Sequence, residues 1–65
     1  MTRSHFHVGD WVRANKSIPG VPVGTAGRVK LVFMSADDTY DVVFSGHQEP
    51  SIVFGPQLEF VQHAA

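Results

Sequence analysis

Gly9-Asp10-Trp11-Val12-Arg13, a loop, and then Gly24-Thr25-Ala26-Gly27-Arg28-Val29 decide the fold. Two more short apolar stretches follow: Tyr40-Asp41-Val42-Val43-Phe44, and Ile52-Val53-Phe54-Gly55-Pro56-Gln57-Leu58-Glu59. All are short, rich in β-branched or aromatic residues, and set between turn residues, which is the signature of strands. Trp11 to Ala14 reads as a strand with Val12 on the face opposite Trp11 and Arg13. Thr25 to Met34 is the longest candidate. Val29, Leu31 and Phe33 alternate there with Arg28, Lys30 and Val32, and Gly27 with the β-branched residues opposes a helix. Thr39 to Ser45 places Tyr40, Val42 and Phe44 on one face and Asp41, Val43 and Ser45 on the other. Ser51 to Phe54 is a further short strand. Gly55 to Glu59 reads as a single 3₁₀ turn, because Pro56 presets φ, and Phe60-Val61 as a last strand.

Asn15 to Gly24 contains two Pro, two Gly, Asn and Ser, and marks a long loop. Val8-Gly9-Asp10 and Ser35 to Asp38 are turns, and Gly46 to Pro50 connects two strands. The domain reading is a flexible lead over residues 1–7, a barrel over 8–61 and a tail over 62–65. His5 and His7 alternate with Phe6 in a way that extends the first strand. Five short strands with Gly/Pro turns in so short a chain predict an all-β barrel, since a sandwich needs more residues.

The chain has 65 residues and no cysteine, which excludes disulfides and thiolate metal sites. A domain this small buries little core, which raises the expectation of self-association or of docking on a larger assembly. At 43% hydrophobic and 17% charged it is globular. A net charge of −1 counts against a general nucleic-acid binder. No apolar run reaches the length of a membrane span, and the N-terminus carries no apolar signal-peptide core, so a cytoplasmic location is the default.

The order and spacing resemble the SH3-like barrel. Gly-Asp-x-Val at Gly9 to Val12, a loop, and Gly-Thr-x-Gly-x-Val at Gly24 to Val29 form a recurrent opening of bacterial SH3-like modules. More narrowly, Val8 to Val61 is similar to the electron-transport accessory group. That group includes the small stromal subunit of photosystem I, the variable chain of ferredoxin–thioredoxin reductase, the nitrile hydratase β-subunit barrel and the type B dihydrofolate reductases. The resemblance implies a five-stranded SH3-like barrel with one 3₁₀ turn before the last strand. Its motifs specify fold far better than function. Type B reductases line a homotetramer pore with Val-Gln-Ile-Tyr-Pro on the fourth strand. The matching stretch here is Ile52-Val53-Phe54-Gly55-Pro56. Val53, Phe54 and Gly55 stand where Gln, Ile and Tyr would be, so the polar groups that would hold nicotinamide and pterin are missing.

Catalytic and metal constellations are weak in this sequence. His5, His7, His47 and His63 read as scattered surface histidines, and Asp37, Asp38 and Asp41 as a solvated turn. Asp10, Glu49 and Glu59 lie on different turns, and no nucleophile-elbow or phosphate-loop spacing occurs. Two surfaces carry more weight. Arg13 and Lys16 flank the first loop, and Arg28 and Lys30 share a sheet face, giving a modest basic stripe. Together with Trp11 and Tyr40 these are the expected partner-binding residues, with Trp11 standing outward or over the barrel rim beside Ile18-Pro19-Gly20-Val21-Pro22-Val23. Val43, Ile52, Val53 and Phe54 are apolar on both alternations and form the expected self-association surface, with Val53 outward.

The resulting expectation is a non-catalytic SH3-like accessory or protein-interaction module that self-associates or docks on a larger complex. No catalytic, metal or cofactor residue is assigned. The partner is a protein or another copy of the chain, a tetramer included. Two rival readings are a homotetrameric NADPH-dependent oxidoreductase resembling the type B reductases, and a nucleic-acid-binding small barrel.

Overall fold

The computed structural model describes residues 5–63, and the fold is all-β. Val12 and Ala14 are buried while Trp11 and Arg13 are exposed, and this alternation makes Trp11–Ala14 the strand β1. β2 is Ala26–Val32, β3 is Thr39–Phe44 and β4 is Ser51–Phe54. A 3₁₀ turn over Gly55–Gln57 leads into β5, Leu58–Gln62. All pairings are antiparallel and the sheet order is β4-β3-β2-β1-β5. No helix among the described residues is long and apolar enough to cross a membrane.

β4 and β5 are the two sheet edges, and no ladder joins them. The 3₁₀ turn connects them instead. Asn15 holds it from the β1 side, donating its backbone N–H to the Gln57 carbonyl (2.9 Å) and its side-chain amide to the Leu58 carbonyl (3.2 Å). Asp38 holds it from the β3 side, its carbonyl accepting the Gly55 N–H at 2.8 Å. The side chain of Asp38 lies against Gly55 so closely that a Cβ there would overlap its carboxylate.

The same Asp38, at a left-handed φ of 52°, accepts a 2.5 Å hydrogen bond from the Tyr40 hydroxyl. The Tyr40 oxygen in turn accepts the backbone N–H groups of His5 (2.8 Å) and Phe6 (3.3 Å). Phe6 is buried and packs edge-on against the Tyr40 ring, with centroids 5.3 Å apart. The packed unit therefore begins before Val8. His5 to His7 form a bend pinned to β3, rather than a flexible lead or an extension of β1. Residues 1–4 of that expected lead and residues 64–65 of the expected tail lie outside the described residues.

The core is made mainly of valines. Val12, Val29, Val42 and Val53 have no exposure, and they surround Tyr40 and Phe44. Full burial of one such side chain contributes roughly 1.5–3 kcal/mol. Ile18 and Val21 of the long loop join this core. The loop folds as a tight turn in which Val21 N–H donates to the Ile18 carbonyl at 2.8 Å. Pro19 supplies the second turn position and Gly20, at φ +78°, the third. Asp10, just before β1, is also buried. One of its carboxylate oxygens accepts the His7 N–H at 2.9 Å, and the other stands 3.4 Å from His63 Nδ1, so the first turn and the end of β5 meet there.

β3 ends at Phe44 rather than Ser45 and β5 runs to Gln62 rather than Val61; three further differences from the sequence reading matter more. β2 is shorter than Thr25 to Met34, the 3₁₀ turn stops at Gln57, and β5 starts at Leu58. The third difference follows from the second. Leu58 is buried opposite Ala14, so it takes strand geometry as soon as the turn ends.

Burial and the hydrogen bond to Asp38 hold the Tyr40 hydroxyl above its ordinary pKa of 10.0. A raised folded pKa means that Tyr40 contributes its full stabilisation below pH 10 and loses it as pH rises through the folded value. Tyr40→Phe leaves two N–H groups and a carboxylate without their partner, and is expected to cost about 1–3 kcal/mol in urea denaturation at neutral pH. The wild type's advantage over this variant is expected to shrink as pH climbs above the folded value.

Candidate functional site

A groove runs over the outer face of β1, β2 and β3. The register builds it: Trp11 of β1 stands opposite Arg28 of β2, which stands opposite Val43 of β3. All three side chains point away from the core, because the inward positions beside them are Val12, Val29 and Val42. In the adjoining row the outward residues are Arg13, Ala26 and Ser45, Arg13 opposite Ala26 and Ala26 linked to Ser45 by a 2.8 Å backbone bond from the Ser45 N–H to the Ala26 carbonyl. Short side chains beside Trp11 and Arg28 leave a depression of about 480 Å³, which the Phe44–His47 turn borders with His47.

Gly27 lies under this groove. A Cβ there would sit 2.7 Å from Val42 Cγ1 and 2.8 Å from Phe44 Cδ1, so β2 packs onto the core without a side chain at that point.

Arg28 is held in place twice. Its guanidinium lies 5.2 Å from the Trp11 ring centroid, and its Nε donates to the Gly9 carbonyl at 3.1 Å. Lys30 is exposed at a bulge. Val29 pairs with Val42 and Leu31 with Asp41, which leaves Lys30 as the extra residue between them. No Asp or Glu is among the described residues that line the groove.

Of the expected partner-binding residues, the fold brings Trp11, Arg28 and Lys30 together. Arg13 shares the same outer face beside Ala26 but is not in the lining; it is turned toward β5, where its Nε is 3.3 Å from Glu59 Oε1. Lys16 is exposed on the loop, away from the groove. Tyr40 is no surface residue: it has no exposure, and its ring and hydroxyl are spent on Phe6, Asp38 and the His5 and Phe6 amides. The Ile18–Val23 loop does not border Trp11's groove, because Ile18 and Val21 turn into the core.

The expected self-association set also divides. Ile52 (65% exposed) and Phe54 (55%) face outward, and Val43 is half-buried in the groove. Val53 does not face outward. It pairs with Tyr40 and has no exposure, since period two places it inside once its neighbours are outside. Of the stretch set against the reductase pore, Ile52, Phe54 and Pro56 are exposed, while Val53 and Gly55 are buried. The bulge at Lys30 overturns another expectation. It flips the alternation, so that Leu31 is 47% exposed while Val32 packs against the core. Leu31, Asp41 and Ile52 consequently form an outward row across β2, β3 and β4.

Sequence reasoning missed two features. His47 joins the groove through a turn, beyond the reach of strand alternation. His7 and His63, read as scattered, converge on opposite oxygens of Asp10. No cluster of three or more His, Cys, Asp or Glu suited to a metal ion occurs among the described residues. Comparison with known family models, curated proteins and solved structures returned no match.

Trp11 is the sole tryptophan, so its fluorescence reports on the groove directly. With Arg28 over its ring, iodide is expected to quench it more efficiently than caesium at low salt. Arg28→Ala should remove most of that excess and cost no more than about 1 kcal/mol of stability.

Proposed function

We propose that this chain is a non-catalytic interaction module on a small barrel-like fold of the SH3-like kind, and that it docks a protein partner on the Trp11–Arg28 groove. One observation carries the reading. The largest apolar side chain of a small chain with little core stands on the outer sheet face, 38% exposed, beside a concave surface. A fold short of apolar burial gains by placing tryptophan inside, so its outward position fits a contact surface completed by a partner. The similarity to the electron-transport accessory group, whose photosystem and ferredoxin-linked members dock on larger complexes, agrees with this reading.

The Leu31, Ile52 and Phe54 positions support self-association as a second reading. Contact through side-chain faces suits it better than strand addition. β4 is only four residues long, it is flanked by Pro50 and Pro56, and its Phe54 N–H is already taken by Gln57 Oε1 at 2.9 Å.

Panning a displayed random-peptide library on the wild type, with counter-selection on Trp11→Ala, tests docking. Enrichment of peptides that lose binding to the variant is the expected result. Only variant-insensitive peptides, or none, would contradict it. Light scattering over a concentration series tests self-association. A mass above the monomer that falls on Ile52→Asp is expected, and a monomer at every concentration would end that reading.

A further inference from the structure

Resting on the docking reading, we propose that the groove takes an acidic, extended peptide segment bearing one bulky apolar side chain.

Charge is the first argument. The chain as a whole is negative, with six carboxylates against five Lys and Arg. The groove has the opposite sign: Arg28 and Lys30 line it, with His47, and no carboxylate does. All six acids lie outside the lining, with Asp37 and Glu49 exposed on turns. Glu59 pairs with Arg13, Asp38 with the Tyr40 hydroxyl, and Asp10 is buried. Asp41, one outward position along β3 from Val43, is half-buried and lies outside the lining. A concave surface lined by two fixed cations and no carboxylate, on a chain of negative overall sign, fits an anionic occupant.

Shape is the second. The gap over Ala26 and Ser45, bordered by the Trp11–Arg28–Val43 row, is lined mainly by apolar surface and suits a side chain rather than an ion. β1, β2 and β3 are each paired on both sides, so a ligand there is held by side chains and not as an added strand.

The same features disfavour single-stranded nucleic acid. The Arg28 guanidinium already covers a face of Trp11, where a base would stack. Two fixed cations are also few for a phosphate backbone.

The experiment uses the isotope-labelled full chain at low salt. It is titrated separately with a short Asp/Glu peptide holding one central Leu, with the same peptide carrying Lys for each acid, and with a short oligothymidylate. The backbone amides are followed by NMR. Only the acidic peptide is expected to shift Arg28, Lys30, Val43 and His47. Its Kd should rise about tenfold in Arg28→Ala combined with Lys30→Ala, as the loss of two weak ion pairs allows. Each single variant is run beside the double, with cooperative thermal unfolding and native-like dispersion of the amides outside the groove as the fold control. Shifts in the groove from the basic peptide or the oligonucleotide, with the acidic peptide silent, would overturn the proposal. So would acidic-peptide shifts confined to other faces. Silence toward the acidic peptide alongside groove-dependent library binders would overturn this inference and leave docking standing. Silence in both experiments would end both.

Discussion

The Tyr40 hydroxyl is the point on which the structure depends. One oxygen atom donates to Asp38 and accepts from His5 and Phe6, so it ties the start of the described chain to the β2–β3 turn. Asp38 passes the constraint on, because its carbonyl holds Gly55 and its carboxylate fills the space where Gly55 has no side chain. With β4 and β5 unpaired to each other, this relay and Asn15 fix the 3₁₀ turn that joins the sheet edges. A hydroxyl used three times is expensive to lose, since the buried Phe6 N–H would be left without a partner and the His5 N–H and Asp38 carboxylate would lose theirs.

The composition of the core explains the surface. Four fully buried valines, Tyr40 and Phe44 fill most of the interior of a small domain, with Ile18 and Val21 of the loop sealing one end. Little room remains for Trp11, Leu31, Ile52 and Phe54, and the register puts them outside. The bulge at Lys30 has two effects: it turns Leu31 outward and leaves Lys30 unpaired next to Arg28. A local irregularity of one residue thereby shapes the apolar row beside the groove, while Lys30 shares Arg28's face by ordinary alternation.

Strand positions were legible because period-two alternation and turn residues act locally. Val12, Tyr40, Val42 and Phe44 face the core as their alternation requires, and Pro56 marks the 3₁₀ turn. The phase of a strand that is apolar on both alternations was not legible. Nothing within Ser51 to Phe54 says whether Val53 or its neighbours face inward; the pairing of Val53 with Tyr40 settles it. The bulge was hidden as well, for Lys30 carries no glycine or other mark of an inserted residue. Of the candidate site, Trp11, Arg28 and Lys30 were readable from their outward positions. Arg13 separated from them because its partner, Glu59, lies far along the chain. Tyr40 was misplaced as a surface aromatic because its ligands, His5, Phe6 and Asp38, sit in segments that read as lead and turn.

Amide hydrogen exchange on the wild type and on Tyr40→Phe tests the central claim most directly. The account requires the His5, Phe6 and Gly55 amides to be protected together in the wild type and to lose protection together in the variant, while the Val29 amide, bonded to the Asp10 carbonyl at 2.9 Å, stays protected. Exchange of Phe6 and Gly55 at open-chain rates in the wild type, or unchanged protection of both in the variant, would contradict it.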